Sequence, residues 1–220
     1  MSKCGGSLIV TMRMFDSWRE QFIESAGYAL RIEDLRERAI RCDTPLSFKN
    51  QVGITHVKEP MIQRTIFEIM SSMKWEKKSL ELERAYDPKA TGNTPRADFA
   101  LKDPEAAQGR TWHYIEMKKY NTDHIRSDIA KMLEYGSGRH NKNHMLIYRT
   151  TTRPPAKNSE TYLLTLLRNT FSKDFVFGGK FAPVEHDFKT LVPEKYANPY
   201  SQATPGRCEI VLVTVKMKKK

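Results

Sequence analysis

Cysteine is scarce in this chain: Cys4, Cys42 and Cys208 are the only three among 220 residues. An odd and scattered set forms no disulfide framework and lacks the Cys-x-x-Cys spacing of a structural zinc site. A reducing, cytoplasmic setting is therefore expected. Long apolar runs are missing as well. The longest, such as IVLVTV at Ile210–Val215, are far too short to cross a bilayer, so no membrane-spanning segment is expected. The opening residues, MSKCGGSLIVTMRMFDSW, carry no apolar core of signal-peptide length and no cleavage site, and no signal peptide is expected. There is no nucleophile elbow and no phosphate-binding glycine loop; FGGKF, Phe177–Phe181, is too short for one. Acidic residues are the last shortage. Against 37 Lys and Arg stand 26 Asp and Glu, a formal net charge of +11, which predicts attraction to a polyanion such as nucleic acid or an anionic surface.

What is present reads as one domain with a substantial core. Phe15, Trp18, Phe22, Ile23, Leu30, Ile32 and Leu35 recur at helical spacing, and Gly27 predicts a break into two helices. Pro60 suits the first turn of another helix, whose Ile62, Ile66, Ile69, Met70 and Met73 share one side. SLELERAY, RADFALK and TWHYIEMKKY then alternate as strands, separated by polar turns, in the manner of an antiparallel meander. TDHIRSDIAKMLEYGSG predicts a helix stopped by Gly136 and Gly138, a crossover leading to the buried strand HMLIYRT. ETYLLTLLRNTF predicts one more helix. The phenylalanine-rich FSKDFVFGGKFAPVEHDF reads as a second small core, CEIVLVTV as a last strand, and KMKKK as a basic tail. The expected architecture is α/β, with helices flanking a mixed sheet of about five strands. An N-terminal helical segment (1–55) and a C-terminal extension (153–220) pack on a core at 56–152.

Charge inside two of these strands carries the functional information. Strand alternation puts Ile115 and Met117 on one face and Tyr114, Glu116 and Lys118 on the other. In RADFALK, Phe99 and Leu101 take one face and Asp98 the other. Paired as a hairpin, the strands bring Asp98 and Glu116 together with Lys118 beside them. Two close carboxylates repel unless a cation lies between them. A hard divalent ion with oxygen ligands removes the conflict, and can polarise a phosphoryl oxygen. The competing interpretation is a cross-strand ion pair on an exposed sheet face.

Asp98 followed by Glu116-x-Lys118 on the next strand, after a helix bearing glutamates, resembles the PD-(D/E)xK nuclease superfamily over roughly residues 59–150. Ala97 replaces that family's usual proline, with Pro95 two residues earlier. The resemblance implies a restriction-endonuclease-like core in which Asp98 and Glu116 hold Mg²⁺ (Mn²⁺ as a substitute) and Lys118 assists the attacking water. It also implies an acidic residue from the preceding helix. Glu59 shares the face of Ile62, Ile66 and Ile69, whereas Glu68 lies opposite, in solvent, so Glu59 is the expected third metal ligand.

Gln63, Lys119, Arg149 and Arg153 are expected DNA contacts, with Gln63 one turn beyond Glu59 and the two arginines just past the core strand. His140 and His144 are four apart in HNKNH, but the segment has a loop's composition, so zinc is not expected. These histidines, with His113 and His124, read as exposed or phosphate-facing. The function expected by resemblance is a Mg²⁺-dependent endodeoxyribonuclease acting on double-stranded DNA, of the type II restriction kind and homodimeric. A repair, phage or mobile-element nuclease of the same fold is an alternative. A non-catalytic, basic nucleic-acid-binding protein is the alternative from a different class.

Overall fold

The computed structural model describes residues 18–42, 57–72, 80–87, 93–102, 111–136, 141–151, 162–176, 184–187 and 207–216. Helix α1 runs unbroken over Trp18–Cys42, so the expected division at Gly27 does not occur. A single glycine in a helix costs about 1 kcal/mol. Here Phe22, Ile23, Ala26, Ala29 and Leu30 are all buried around it, and that packing outweighs the local preference.

Helix α2, Glu59–Ser72, has Pro60 in its first turn, where the missing N–H has no intrahelical partner to lose. Its Ile62, Ile66 and Met70 recur every fourth residue and are buried against α1 and the sheet. Residue 73, expected on the same side, lies outside the described residues.

The strands are β1 (Leu80–Ala85), β2 (Arg96–Lys102), β3 (Trp112–Lys119), β4 (Asn141–Thr151), β5 (Phe175–Val176), β6 (Val184–Asp187) and β7 (Arg207–Val215). They form one mixed sheet in the order β1-β2-β3-β4-β7-β5, with β6 also on β7. The first three strands are the antiparallel meander the sequence predicts. Helix α3, Thr122–Tyr135, is the crossover, and β4 returns parallel to β3. Asn121 caps α3 by accepting from the N–H groups of Asp123 and His124, and Gly136 ends it. β4 begins at Asn141, inside a segment whose composition reads as a loop. Pairing along the whole of β3 extends it there. The short β5 and β6 were not legible in the sequence, and they raise the strand count to seven among the described residues.

Alternation along the strands divides the core into two layers. Phe99, Leu101, Ile115, Met117, Leu146, Tyr148, Ile210 and Leu212 face α1 and α2. Ala100, Tyr114, Met145, Ile147, Val211 and Val213 face α3 and helix α4 (Tyr162–Phe171), and Ala97 joins them across a break in the alternation at Asp98. Phe171 and Phe175 join this second layer, so these two rings of the phenylalanine-rich segment belong to the main core. Strand β7, late in the chain, lies between β4 and β5 inside the sheet. Among the described residues no helix is long and apolar enough to cross a membrane.

Candidate active site

The β2–β3 ladder runs from Lys102↔Trp112 to Phe99↔Ile115 and stops there. One step further the same register sets Asp98 opposite Glu116. At that point the ladder hydrogen bond is replaced by a side chain: Asp98 Oδ2 accepts from the Met117 N–H at 2.6 Å. On the other edge of β2, Leu82 pairs with Phe99 and Arg84 with Ala97, skipping Glu83, which adopts φ 49°. A non-glycine residue in the left-handed region is held there against a local preference of about 1–2 kcal/mol. Asp98 thus sits where regular pairing lapses on both sides of its strand, which frees its carboxylate to turn inward.

Glu116 is 1% exposed, on the face the alternation assigned it. Its Oε1 accepts from the Tyr86 hydroxyl at 2.6 Å and lies 2.6 Å from Lys131 Nζ. Burial and the neighbouring charge of Asp98 push the Glu116 carboxyl up to about 7, against the opposing pull of Lys131. The Asp98 carboxyl is also raised, by burial first, although the Met117 N–H, Lys118 and Lys131 favour its charged form. Asp98 thus disfavours the charge of Glu116, and burial disfavours the charged form of both.

Lys118 Nζ is 3.2 Å from Glu59 Oε2 and 3.6 Å from Asp128 Oδ2. Burial pulls its pKa down, and Glu59, Asp128 and Asp98 more than restore it, for a net rise. It is therefore an ammonium at neutral pH, a donor with no lone pair to offer. Glu59 Oε1 accepts from the Lys119 N–H at 3.0 Å, so the helix glutamate reaches the end of β3, as its face predicts. It meets the lysine and the main chain there, not the two strand carboxylates. Glu68 is exposed, as expected, and pairs with Arg64.

Three members of the cluster were missed by sequence reasoning: Tyr86 after β1, and Asp128 and Lys131 on α3. Lys131 Nζ lies 3.4 Å from Asp128 Oδ1 and donates to the Arg96 carbonyl at 3.4 Å. A signal did exist for Asp128. It lies among Ile125, Ile129 and Met132, the stripe that docks α3 on the sheet, and a buried acid on an apolar face calls for a partner. An open cleft of about 660 Å³ reaches the cluster, lined by Glu83, Asn93, Thr94, Arg96, Asp98 and Lys131 among others.

The donor set is of a kind that fits a hard divalent cation: the paired carboxylates of Asp98 and Glu116, and the Asp128 Oδ2 atom, which is buried without a hydrogen-bond partner. As they stand, no three His, Cys, Asp or Glu side chains among the described residues are gathered tightly enough to hold an ion. The ammonium groups of Lys118 and Lys131 lie among the carboxylates instead.

The other expected contacts fall in different places. Gln63 is buried one turn along α2, and none of the cluster's hydrogen bonds or ion pairs reaches it. Lys119 is exposed on β3, next to Lys118. Arg149, expected just past the core strand, lies within β4 because pairing with β7 continues through Thr151. Its guanidinium is 5.4 Å from the Tyr120 ring centre and 4.9 Å from that of Tyr162, on the face that carries Lys118. Arg153, His140 and the basic tail lie outside the described residues.

The expectation that His113 and His144 are exposed or phosphate-facing is corrected. Both are buried on the α1 face, His113 Nδ1 is 2.9 Å from His144 Nε2, and the Trp18 ring packs on His113 at 4.4 Å between centres. Parallel pairing of β3 with β4 brings them together, with Ile115 opposite His144. Burial, reinforced by His113, Arg19 and Lys142, lowers the His144 pKa well below 6.5 and keeps the ring neutral.

No protein-family model, curated protein or solved structure matches the chain. Function must therefore be argued from the site.

Proposed function

We propose that the chain is a Mg²⁺-dependent endonuclease that hydrolyses phosphodiester bonds of double-stranded DNA, with the cluster around Asp98, Glu116 and Lys118 as its active site. The observation that carries this reading is geometric: the β2–β3 register sets Asp98 opposite the buried Glu116 where the ladder ends, and Lys118, held by Glu59 and Asp128, stands beside them. A stable fold gains little from such an arrangement, whereas a cation-binding site depends on it. The resemblance of Asp98, Glu116 and Lys118 to the PD-(D/E)xK pattern supports the same reading, as does the net charge of +11 facing a polyanionic substrate.

In this mechanism Asp98 and Glu116 would hold a divalent ion, which would supply charge neutralisation at the phosphate and a lowered pKa of water. Lys118, fixed by Glu59 and Asp128, places positive charge against the phosphate oxygens and orients the attacking water as a donor. Glu59 keeps that ammonium charged and aimed, a positioning role in place of metal ligation. Arg149 and Lys119, at the same end of β3 and β4, bind flanking phosphates. A homodimer acting on a palindromic site, in the manner of type II restriction enzymes, is the form this reading expects.

A second reading is favoured by the ion pairs themselves. Lys118 with Glu59 and Lys131 with Glu116 are paired as they stand. A basic nucleic-acid-binding protein could use the cluster only as a structural network. Supercoiled plasmid incubated with and without Mg²⁺ separates the two. The nuclease cuts only with metal and loses cutting in Lys118→Ala, whereas the binder retards the plasmid uncut in both forms. Discrete fragments in place of a smear would indicate site specificity.

A further inference from the structure

Lys131, like Tyr86, has no signal in the sequence, and its surroundings are unusual for a lysine. Its Nζ is 2.6 Å from Glu116 Oε1, 3.4 Å from Asp128 Oδ1 and 3.4 Å from the Arg96 carbonyl oxygen. Two carboxylates and a carbonyl are the oxygen donors a hard divalent cation would select. Lys131 is also partly exposed and lines the open cleft together with Asp98, so the ammonium has somewhere to go. Lys118 differs: its contacts are Glu59 and Asp128, and no ion pair joins it to Glu116.

We propose that Lys131 is a built-in competitor for the divalent ion: its ammonium and the metal bind Glu116 in mutual exclusion, so Lys131 sets the metal affinity of the site. This rests on the nuclease reading, because it supposes that Glu116 is a metal ligand. A buried glutamate without a cation is unfavourable, and Lys131 supplies the positive charge until the metal does. The apparent metal affinity is the intrinsic affinity multiplied by the fraction of molecules in which Lys131 has released Glu116. The device would keep the site loaded only where Mg²⁺ is plentiful, and it leaves a free ammonium in the cleft once the metal is in place.

Mn²⁺ binding to the full-length protein without DNA, read by calorimetry or by the Mn²⁺ resonance signal, tests this. Lys131→Met should bind Mn²⁺ more tightly than wild type by about tenfold or more. Lys131→Arg, which keeps a cation beside Glu116, should stay close to wild type, and Glu116→Gln should abolish binding. If Lys131→Met does not fold, Lys131→Gln carries the same expectation. Unchanged or weaker binding in a folded Met or Gln variant, with wild type binding normally, overturns the competition and leaves the nuclease reading intact. Absence of Mn²⁺ binding by wild type and all variants at millimolar metal overturns both.

Discussion

Glu59 and Lys118, 59 residues apart in the chain, meet at 3.2 Å where the first turn of α2 crosses the end of β3. The same carboxylate takes the Lys119 N–H, so one side chain fixes both the main chain and the amine at this end of the strand. Glu59→Gln keeps an acceptor for the N–H and removes the charge. Because both partners are partly exposed, the loss of stability should stay below about 1 kcal/mol. Metal-dependent plasmid cleavage should fall by roughly 10- to 100-fold, since the ammonium is no longer held against the substrate. A melting curve paired with initial rates checks this, and an unchanged rate would make Glu59 merely structural.

The Glu116 carboxyl makes the metal-free fold pH-dependent in an unusual direction. Its pKa of about 7 lies above the ordinary 4.5, so between those values the folded protein retains a proton that the unfolded chain has released. Its contribution to stability is full below about pH 4.5 and is lost as pH rises through 7. Glu116→Gln should therefore be more stable than wild type at about pH 8 without divalent metal, by up to about 3 kcal/mol. That advantage should shrink to nothing near pH 4.5. Urea unfolding in a chelating buffer across this range gives the comparison, and a variant less stable at pH 8 would contradict it.

His144 pulls the other way. Its pKa is depressed in the fold, so below about pH 6.5 the unfolded chain gains a proton that the folded protein refuses, and stability declines as pH falls. One such group gives a slope of about 1.4 kcal/mol per pH unit. Measured in the Glu116→Gln background, where the opposing carboxyl is gone, stability should drop between about pH 6.5 and 5. The drop should be flattened when His144→Gln is added. An equal slope with and without His144 would assign the acid sensitivity elsewhere.

Glu209 on β7 is buried and caps α4 from across the core, accepting from the N–H groups of Tyr162 at 3.1 Å and Leu163 at 2.6 Å. Glu209→Ala would leave two donors without their acceptor and should cost about 1–3 kcal/mol. Glu209→Gln, keeping one acceptor, should lose less. Chemical denaturation of both variants decides this, and equal losses would mean that charge and not acceptor count matters at the cap.

How much of this was legible in the sequence follows from the physics of each element. Strand alternation has a strict period of two, so the separation of Ile115 and Met117 from Glu116 and Lys118 could be read directly, and Asp98 fell on the matching face. The helical face of Glu59 was equally plain. Gly27 misled because local preference was weighed without the burial that surrounds it. His113 and His144 misled because a polar residue on a strand looks the same whether it meets solvent or another histidine, and the parallel register of β3 with β4 is not written locally. Lys131 and Tyr86 were invisible for the same reason. Their roles depend on where α3 and the end of β1 dock over Glu116, a long-range relation with no repeat of its own.

The proposed function has Asp98 and Glu116 act together through one divalent ion to break a phosphodiester. The most direct measurement is a Mg²⁺ titration of plasmid cleavage by wild type, Asp98→Ala and Glu116→Ala, with each variant shown to be folded. Wild-type cleavage should saturate with Mg²⁺ and be abolished by chelation, and both variants should lose it at least about 100-fold. Cleavage by either variant at the wild-type rate, or no cleavage by wild type at any Mg²⁺ concentration on any DNA, would contradict it.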